Sequence, residues 1–154
     1  MGALDPAQQA TETIYDRLGG DAGLRELVGV FYSSIFEDPV LQPVFGSPVA
    51  THVDHLTAFL GEVFGGPARY SGELGGFDAI VAVHRGLRIT EEQRQRFVAL
   101  FTAAFERVGL GGDRELREAV MSCIEFGTEV ARVNSNATTD AELHPQREMP
   151  QWHW

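Results

Sequence analysis

The sequence predicts an all-α fold. Apolar residues recur three and four residues apart along almost the whole chain, and clusters of Gly, Pro and Asp separate the apolar segments. The length of 154 residues suits one domain with a substantial core, and a hydrophobic fraction of 44% with a charged fraction of 22% is ordinary for a globular protein. We expect a flexible lead-in over residues 1–11, a helical domain over 12–133 and a C-terminal tail over 134–154.

The chain begins with a short predicted helix and a long one. The short helix spans Thr11 to Leu18 and stops at Gly19-Gly20, because glycine loses the most backbone entropy in a helix. Asp21 is expected to cap the second helix, which ends near Asp38. The buried stripe of this helix consists of Leu24, Leu27, Val28, Phe31, Ile35 and Phe36.

A third helix is expected to open at Pro48 and to break at Gly65-Gly66-Pro67. A glycine-rich stretch follows it, and then a short helical segment covers Phe77–His84. The inward face of the third helix would consist of His52, Leu56, Phe59, Leu60 and Val63.

The last two helices have clear start signals. Thr90 with Gln93 three residues later predicts a capping box, and Asp113 is expected to cap the final helix, which runs to about Val133. Beyond that point helical periodicity is lost. The tail, with Pro150 and both tryptophans, either folds back on the domain or stays mobile, and the sequence offers no physical argument for choosing.

Composition and charge exclude several classes of protein. Cys123 is the only cysteine, so the chain has no intrachain disulfide and suits a reducing compartment. Neither a basic leader nor about 18 uninterrupted apolar residues is found, so we expect a cytoplasmic protein with no membrane partner. The net charge of −10 opposes binding to nucleic acid, because that affinity comes mainly from cationic side chains on phosphates.

Three histidines in the helical body could carry metal chemistry. His84 ends a short apolar segment, and a neutral imidazole among apolar side chains is the one strong nitrogen ligand that a haem iron takes from a protein. The same position also suits an ordinary helix-end histidine. His52 and His55, three residues apart on one helix, could share a divalent ion, but no Asp or Glu is seen to converge on them.

Aromatic residues give a second signal with two interpretations. The hydroxyl of Tyr32, which lies inside the second helix, needs a partner if it is buried, and that partner is either a backbone carbonyl or, in a haem pocket, the bound gas. Ten phenylalanines spread over several helices suit a flat macrocycle, and they equally suit an ordinary core.

Taken together, these residues resemble the truncated haemoglobins, the two-over-two helical globins, over about residues 12–133. The resemblance implies a two-over-two sandwich of helices around haem b and its iron. It rests on an ordered set of motifs, namely Gly19-Gly20, Phe31-Tyr32, Phe45, Phe59-Leu60, Gly65-Gly66 and the segments FGGPARYSG and VHRGLRIT.

The resemblance assigns roles to individual residues. It makes His84 the proximal iron ligand and Tyr32 the distal hydrogen-bond donor. His52 would occupy a second distal position that tunes the binding of the gas. His52 departs from the glutamine, leucine or alanine of many relatives, and Phe97 and Val83 replace residues typical of other branches, which favours the first branch. The implied haem contacts are Phe45, His55, Leu56, Phe59, Phe64, Tyr70, Ile80, Phe97 and Phe101.

The function that the resemblance implies is binding of dioxygen, nitric oxide and carbon monoxide. Nitric-oxide dioxygenation and peroxidase-like chemistry are candidate activities, and either would need an external reductant, since the cofactor carries the chemistry and the protein tunes it. Two alternatives remain open. One is a hexacoordinate redox or sensing haem protein in which His52 binds the iron opposite His84, and the other is a haem-free helical interaction module.

Overall fold

The computed structural model describes residues 12–46, 50–143 and 149–154. Within these ranges the secondary structure is entirely helical, which confirms the predicted all-α fold. A 3₁₀ helix, Asp140–Glu142, follows the last α-helix. The α-helices are α1 (Ile14–Arg17), α2 (Gly20–Glu37), α3 (Gln42–Phe45), α4 (Ala50–Val63), α5 (Arg69–Glu73), α6 (Gly76–His84), α7 (Glu91–Arg107) and α8 (Arg114–Ser135).

The four long helices form two stacked pairs. α2 packs against α4 in one pair, and α7 packs against α8 in the other. The pairs are joined where α2 crosses α7, and α6 lies against α8. This is the two-over-two sandwich that the sequence analysis predicts.

The apolar faces of these helices meet in one core. The predicted stripe of α2 is buried except for Phe36, which is partly buried. Each large apolar side chain removed from water contributes roughly 1.5–3 kcal/mol. The largest fully buried side chains are Phe31, Phe64, Phe101, Phe105, Ile14, Leu24, Leu27, Ile35, Leu41, Leu60, Leu116 and Val28.

Helix starts agree with the sequence at two of the three predicted caps. The hydroxyl of Thr90 accepts from the backbone of Gln93 at 3.1 Å, and Asp113 likewise caps α8, so both predictions are confirmed. The prediction for Asp21 is wrong, because α2 begins at Gly20 and its N-cap is Gly19, which has no side chain to donate or accept. Gly19 adopts a left-handed φ of +98°, and Asp21 lies in the first turn of the helix.

Only the C-terminal end of α4 can be compared with its predicted boundary. The predicted start at Pro48 lies outside the described residues. At the other end, Gly65 has a φ of +98°, and a Cβ atom there would lie 2.8 Å from Cγ2 of Thr13, so both conformation and space require glycine.

No helix in the described ranges is both long and apolar enough to cross a lipid bilayer.

Residues 149–154, here called the C-terminal strap, fold back on the domain. The backbone N–H of Trp152 donates to the carbonyl of Val63 at 2.8 Å. The indole N–H of Trp154 donates to the carbonyl of Glu12 at 2.9 Å, and the guanidinium of Arg17 lies 4.5 Å above its ring. The structure therefore decides the question that the sequence left open for this part of the tail.

Candidate functional site

A cavity of about 470 Å³ lies between the α2–α4 pair and helices α6, α7 and α8. Its wall is mainly aliphatic and aromatic, with a few polar groups, which is the composition expected of a small-molecule or cofactor site. Most residues predicted for the site line this cavity. They are Tyr32, Phe45, His52, His55, Leu56, Phe59, Tyr70, Ile80, His84 and Phe97.

His84, the last residue of α6, presents an imidazole whose tautomer is fixed. Its Nδ1 lies 2.6 Å from the backbone oxygen of Ile80, one turn earlier. Because a carbonyl can only accept, Nδ1 carries the proton and Nε2 keeps its lone pair. Burial lowers the pKa of His84 more than this hydrogen bond raises it, so the ring is neutral at neutral pH. His84 can therefore offer one nitrogen to a metal.

Tyr32 and His52 lie side by side on the cavity wall. Their ring centroids are 5.6 Å apart, and Phe36 and Phe45 flank the imidazole at 6.0 and 6.2 Å. Tyr32 is only 7% exposed, and its hydroxyl makes no hydrogen bond to the described part of the chain. Burial raises its pKa, so the hydroxyl stays protonated. It is a donor available to an acceptor bound in the cavity.

Two parallel aromatic rings form another part of the wall. Phe45 and Phe97 have centroids 6.2 Å apart and an interplanar angle of 24°. Behind them, the buried ring of Phe31 meets Phe97 edge-on at 4.6 Å and fixes it from the core side. Flat rings held in this way present a surface suited to a flat apolar group.

The remaining predicted residues of α4 and α5 differ in exposure. Phe59 and Tyr70 meet edge-on at 5.7 Å, which joins α4 to α5, and Tyr70 is buried. Leu56 is partly buried, whereas His55 is exposed. His55 thus combines access to water with a position on the cavity wall.

Two predicted contacts are not on the cavity wall. Phe64 and Phe101 are fully buried in the helical core, and neither lines the cavity. Phe101 follows Phe97 by one helical turn and packs on Phe31 at 5.1 Å, so the aromatic stripe of α7 continues past the cavity into the core. The predicted contact of these two residues with a cofactor stays a prediction, and in this structure both side chains belong to the helical core.

The sequence analysis missed a wall formed by α8 and the C-terminal strap. It assigned no cavity residue to α8, although cavity residues follow a helical spacing there at Ile124, Gly127, Ala131 and Asn134. Cys123 also faces the cavity, and burial raises the pKa of its thiol to about 12, so it stays protonated. Other wall residues, Pro150 and Trp152, had no periodic signal.

The site does not contain a conventional cluster of metal ligands. In residues 12–46, 50–143 and 149–154, no group of three or more His, Cys, Asp or Glu side chains converges to hold an ion. The polar groups on the wall are instead spread around apolar surface. A metal held here would take most of its ligands from a cofactor.

Comparisons with known proteins agree with this geometry. A model of the family described as bacterial-like globin matches residues 13–133. A group 1 truncated haemoglobin of Nostoc sp. (strain MUN 8820) is 39% identical over 61 residues, which span 39% of this chain and 52% of that protein. A group 2 truncated haemoglobin of Bacillus subtilis (strain 168) is 30% identical over 118 residues, 77% of this chain and 86% of that protein.

Solved structures give the same picture. The X-ray structure of a truncated oxygen-avid haemoglobin from Bacillus subtilis superposes with a TM-score of 0.70 at 28% identity, over 77% of this chain and 97% of that chain. Relatives of both groups therefore match, and the branch indicated by Phe97 and Val83 stays a prediction.

Proposed function

The chain belongs to the bacterial-like globin family, within the truncated haemoglobins, and we propose that its cavity holds haem b and binds dioxygen and other diatomic gases. Membership in this family supports haem-based gas binding in general. The single observation that carries the proposal for this chain is the imidazole of His84, held neutral on the cavity wall with Nδ1–H bound to Ile80 and Nε2 unprotonated.

The residues present fit a haem. The group needs one strong protein nitrogen, an apolar enclosure and few other ligands, because the porphyrin itself surrounds the iron. This structure offers one oriented imidazole, an apolar cavity and, at Tyr32, a hydroxyl that no described residue hydrogen-bonds. The described part of the chain offers no cluster that would bind a bare ion in its place.

Each part of the wall then has a task. His84 would supply the nitrogen that holds the iron, and the hydrogen bond to Ile80 would fix the orientation of its ring and raise its basicity. The apolar side chains would exclude water from the cofactor, and the exposed His55 would pair with a propionate. The packing residues in this assignment are Phe45, Leu56, Phe59, Tyr70, Ile80 and Phe97.

Tyr32 and His52 would control the bound gas. The Tyr32 hydroxyl is a protonated donor, and the His52 ring beside it restricts the space and adds a second polar group. Haem supplies reversible binding of diatomic gases at iron and the redox chemistry that oxidises nitric oxide with dioxygen to nitrate. Nitric-oxide dioxygenation is the reaction we propose, with an external reductant as the source of electrons. We place the protein in the cytoplasm, because a chain with a single cysteine suits a reducing compartment.

The visible spectrum of the protein loaded with haemin tests this proposal. We expect a Soret band and, after reduction with dithionite, a five-coordinate ferrous spectrum that carbon monoxide converts to a six-coordinate one. His84→Ala should hold haem weakly or not at all, whereas His153→Ala, an exposed change away from the cavity, should match the unmodified protein. Failure to take up haem, or a proximal-histidine spectrum retained in His84→Ala, would overturn the assignment.

A further inference from the structure

One side of the cavity is not closed by the long helices. α2 packs on α4 and α7 packs on α8, but α4 and α8 make little contact with each other. Val63, at the end of α4, and Phe126, on α8, both line the cavity. The two helices therefore leave a slot between them that another part of the chain must fill.

Trp152 of the C-terminal strap fills this slot. Its backbone N–H reaches the carbonyl of Val63 on α4 at 2.8 Å, and its indole lies 5.5 Å from the ring of Phe126 on α8, at an angle of 35°. Trp152 and its neighbour Pro150 both line the cavity. One residue thus bridges the two helices, with its backbone on α4 and its indole on α8.

The strap is held here by a bond that the helix cannot make for itself. The residue four positions after Val63 is Pro67, which has no N–H, so the Val63 carbonyl cannot receive the usual helical hydrogen bond. Trp152 supplies the missing donor. Trp154 adds a second, separate attachment through Glu12 and Arg17. The strap is therefore attached at two residues, Trp152 and Trp154.

Two other apolar residues of the cavity wall are exposed. Val83 and Leu87, in α6 and just after it, line the cavity and are 63% and 43% exposed. They are surface that a large flat apolar cofactor would cover. With that surface covered, the slot that Trp152 fills remains as a route for a small apolar molecule.

We propose that Trp152 is the access-determining residue of this cavity, and that small apolar gases exchange with solvent through the α4–α8 slot when the C-terminal strap moves. The inference rests on the proposed haem function for the identity of the ligand. The closing of the slot by the strap is a property of the polypeptide alone. The two can therefore fail separately.

Fluorescence tests the position of the strap without haem. Trp152 and Trp154 are the only tryptophans, so intrinsic emission reports the strap directly. In haem-free Trp154→Phe, which keeps an aromatic ring beside Arg17, the remaining Trp152 should be quenched by acrylamide several-fold less efficiently than in the same chain unfolded in urea. Equal quenching in the two states would show that the strap does not dock and would overturn the proposal.

Ligand kinetics test the gate itself. In the haem-loaded ferrous protein, Trp152→Ala should raise the association rate of carbon monoxide after flash photolysis by on the order of tenfold, as expected if the indole contributes the main barrier to entry. Gln151→Ala, the exposed neighbour that does not line the cavity, is the matched control and should leave the rate unchanged. Trp152→Phe should give a smaller increase and serves if the alanine variant does not fold.

The outcomes separate the two proposals. A protein that takes up no haem contradicts the proposed function, whereas the acrylamide result still decides the docking of the strap. A haem-loaded protein whose carbon monoxide association rate is the same in Trp152→Ala, Trp152→Phe and the unmodified chain contradicts the gate and leaves the haem assignment standing.

Discussion

Replacing Tyr32 with phenylalanine should weaken gas retention and leave protein stability nearly unchanged. The change removes one hydroxyl and keeps the ring that packs on Phe36 at 5.9 Å and on Phe45 at 5.8 Å. That hydroxyl belongs to a residue on the cavity wall, is protonated and makes no hydrogen bond to the described ranges. Its removal therefore costs the folded protein no known contact.

The expected magnitudes follow from this geometry. In the haem-loaded protein, a donor to bound dioxygen contributes about 1–1.5 kcal/mol net. Since about 1.4 kcal/mol corresponds to a factor of ten, Tyr32→Phe should speed dioxygen release by roughly five- to tenfold. In the haem-free protein the free energy of unfolding should change by less than about 1 kcal/mol, because the hydroxyl faces the cavity and makes no hydrogen bond to the described part of the chain.

Two measurements check these numbers. Stopped-flow displacement of dioxygen by carbon monoxide gives the release rate, and urea unfolding of the haem-free protein gives the stability. Tyr15→Phe is the matched control, because Tyr15 does not line the cavity, and it should leave the release rate unchanged. An unchanged release rate in Tyr32→Phe would remove Tyr32 from gas binding. A clear loss of stability in the haem-free variant would show that the hydroxyl has a structural partner.

Two further predictions concern the carboxylate of Asp38, at the end of α2, and the role of His52. Asp38→Ala should lower the free energy of unfolding at neutral pH by about 2 kcal/mol, measured by urea titration, because the carboxylate accepts from the backbone of Val40 and Leu41 and from Arg96. Burial alone would raise the pKa of Asp38, but these bonds outweigh it and hold the pKa below its ordinary value, so the stabilisation is complete above about pH 4 and is lost as the pH falls further. If the difference in free energy of unfolding between the unmodified protein and Asp38→Ala stays constant below about pH 4, this reasoning is wrong. His52→Leu should change gas association and release rates but leave the ferrous, ligand-free spectrum unaltered. A spectral change on that substitution would instead show that His52 coordinates the iron.

The sequence predicted the helices well where local signals agree with one another. The Thr90 and Asp113 caps confirm the starts of α7 and α8, and the stripe of α2 is buried as its spacing predicts. The prediction for Asp21 failed because aspartate is favourable both at the N-cap and in the first turn of a helix. Only the left-handed backbone at Gly19 decides where this helix begins.

For the candidate site, the sequence identified several residues of the cavity wall but did not show which of them face the cavity and which face the core. Phe97 and Phe101 are the same residue type one turn apart, yet the first lines the cavity and the second lies in the core. Periodicity states that a helix face is buried and not whether protein or a cavity lies opposite it. The α8 wall was missed for that reason.

What the sequence by itself determined is therefore the all-α fold, the family resemblance and the key side chains Tyr32, His52 and His84 of the cavity wall. The tertiary structure decided the tautomer of His84, the position of Tyr32 beside His52 on the cavity wall and the docking of the C-terminal strap. Each of these depends on an atom that lies beside another in space. The Val63 carbonyl shows the reason most simply: Pro67 shows that this carbonyl lacks its helical donor, but only the folded chain brings Trp152, far away in sequence, to supply one.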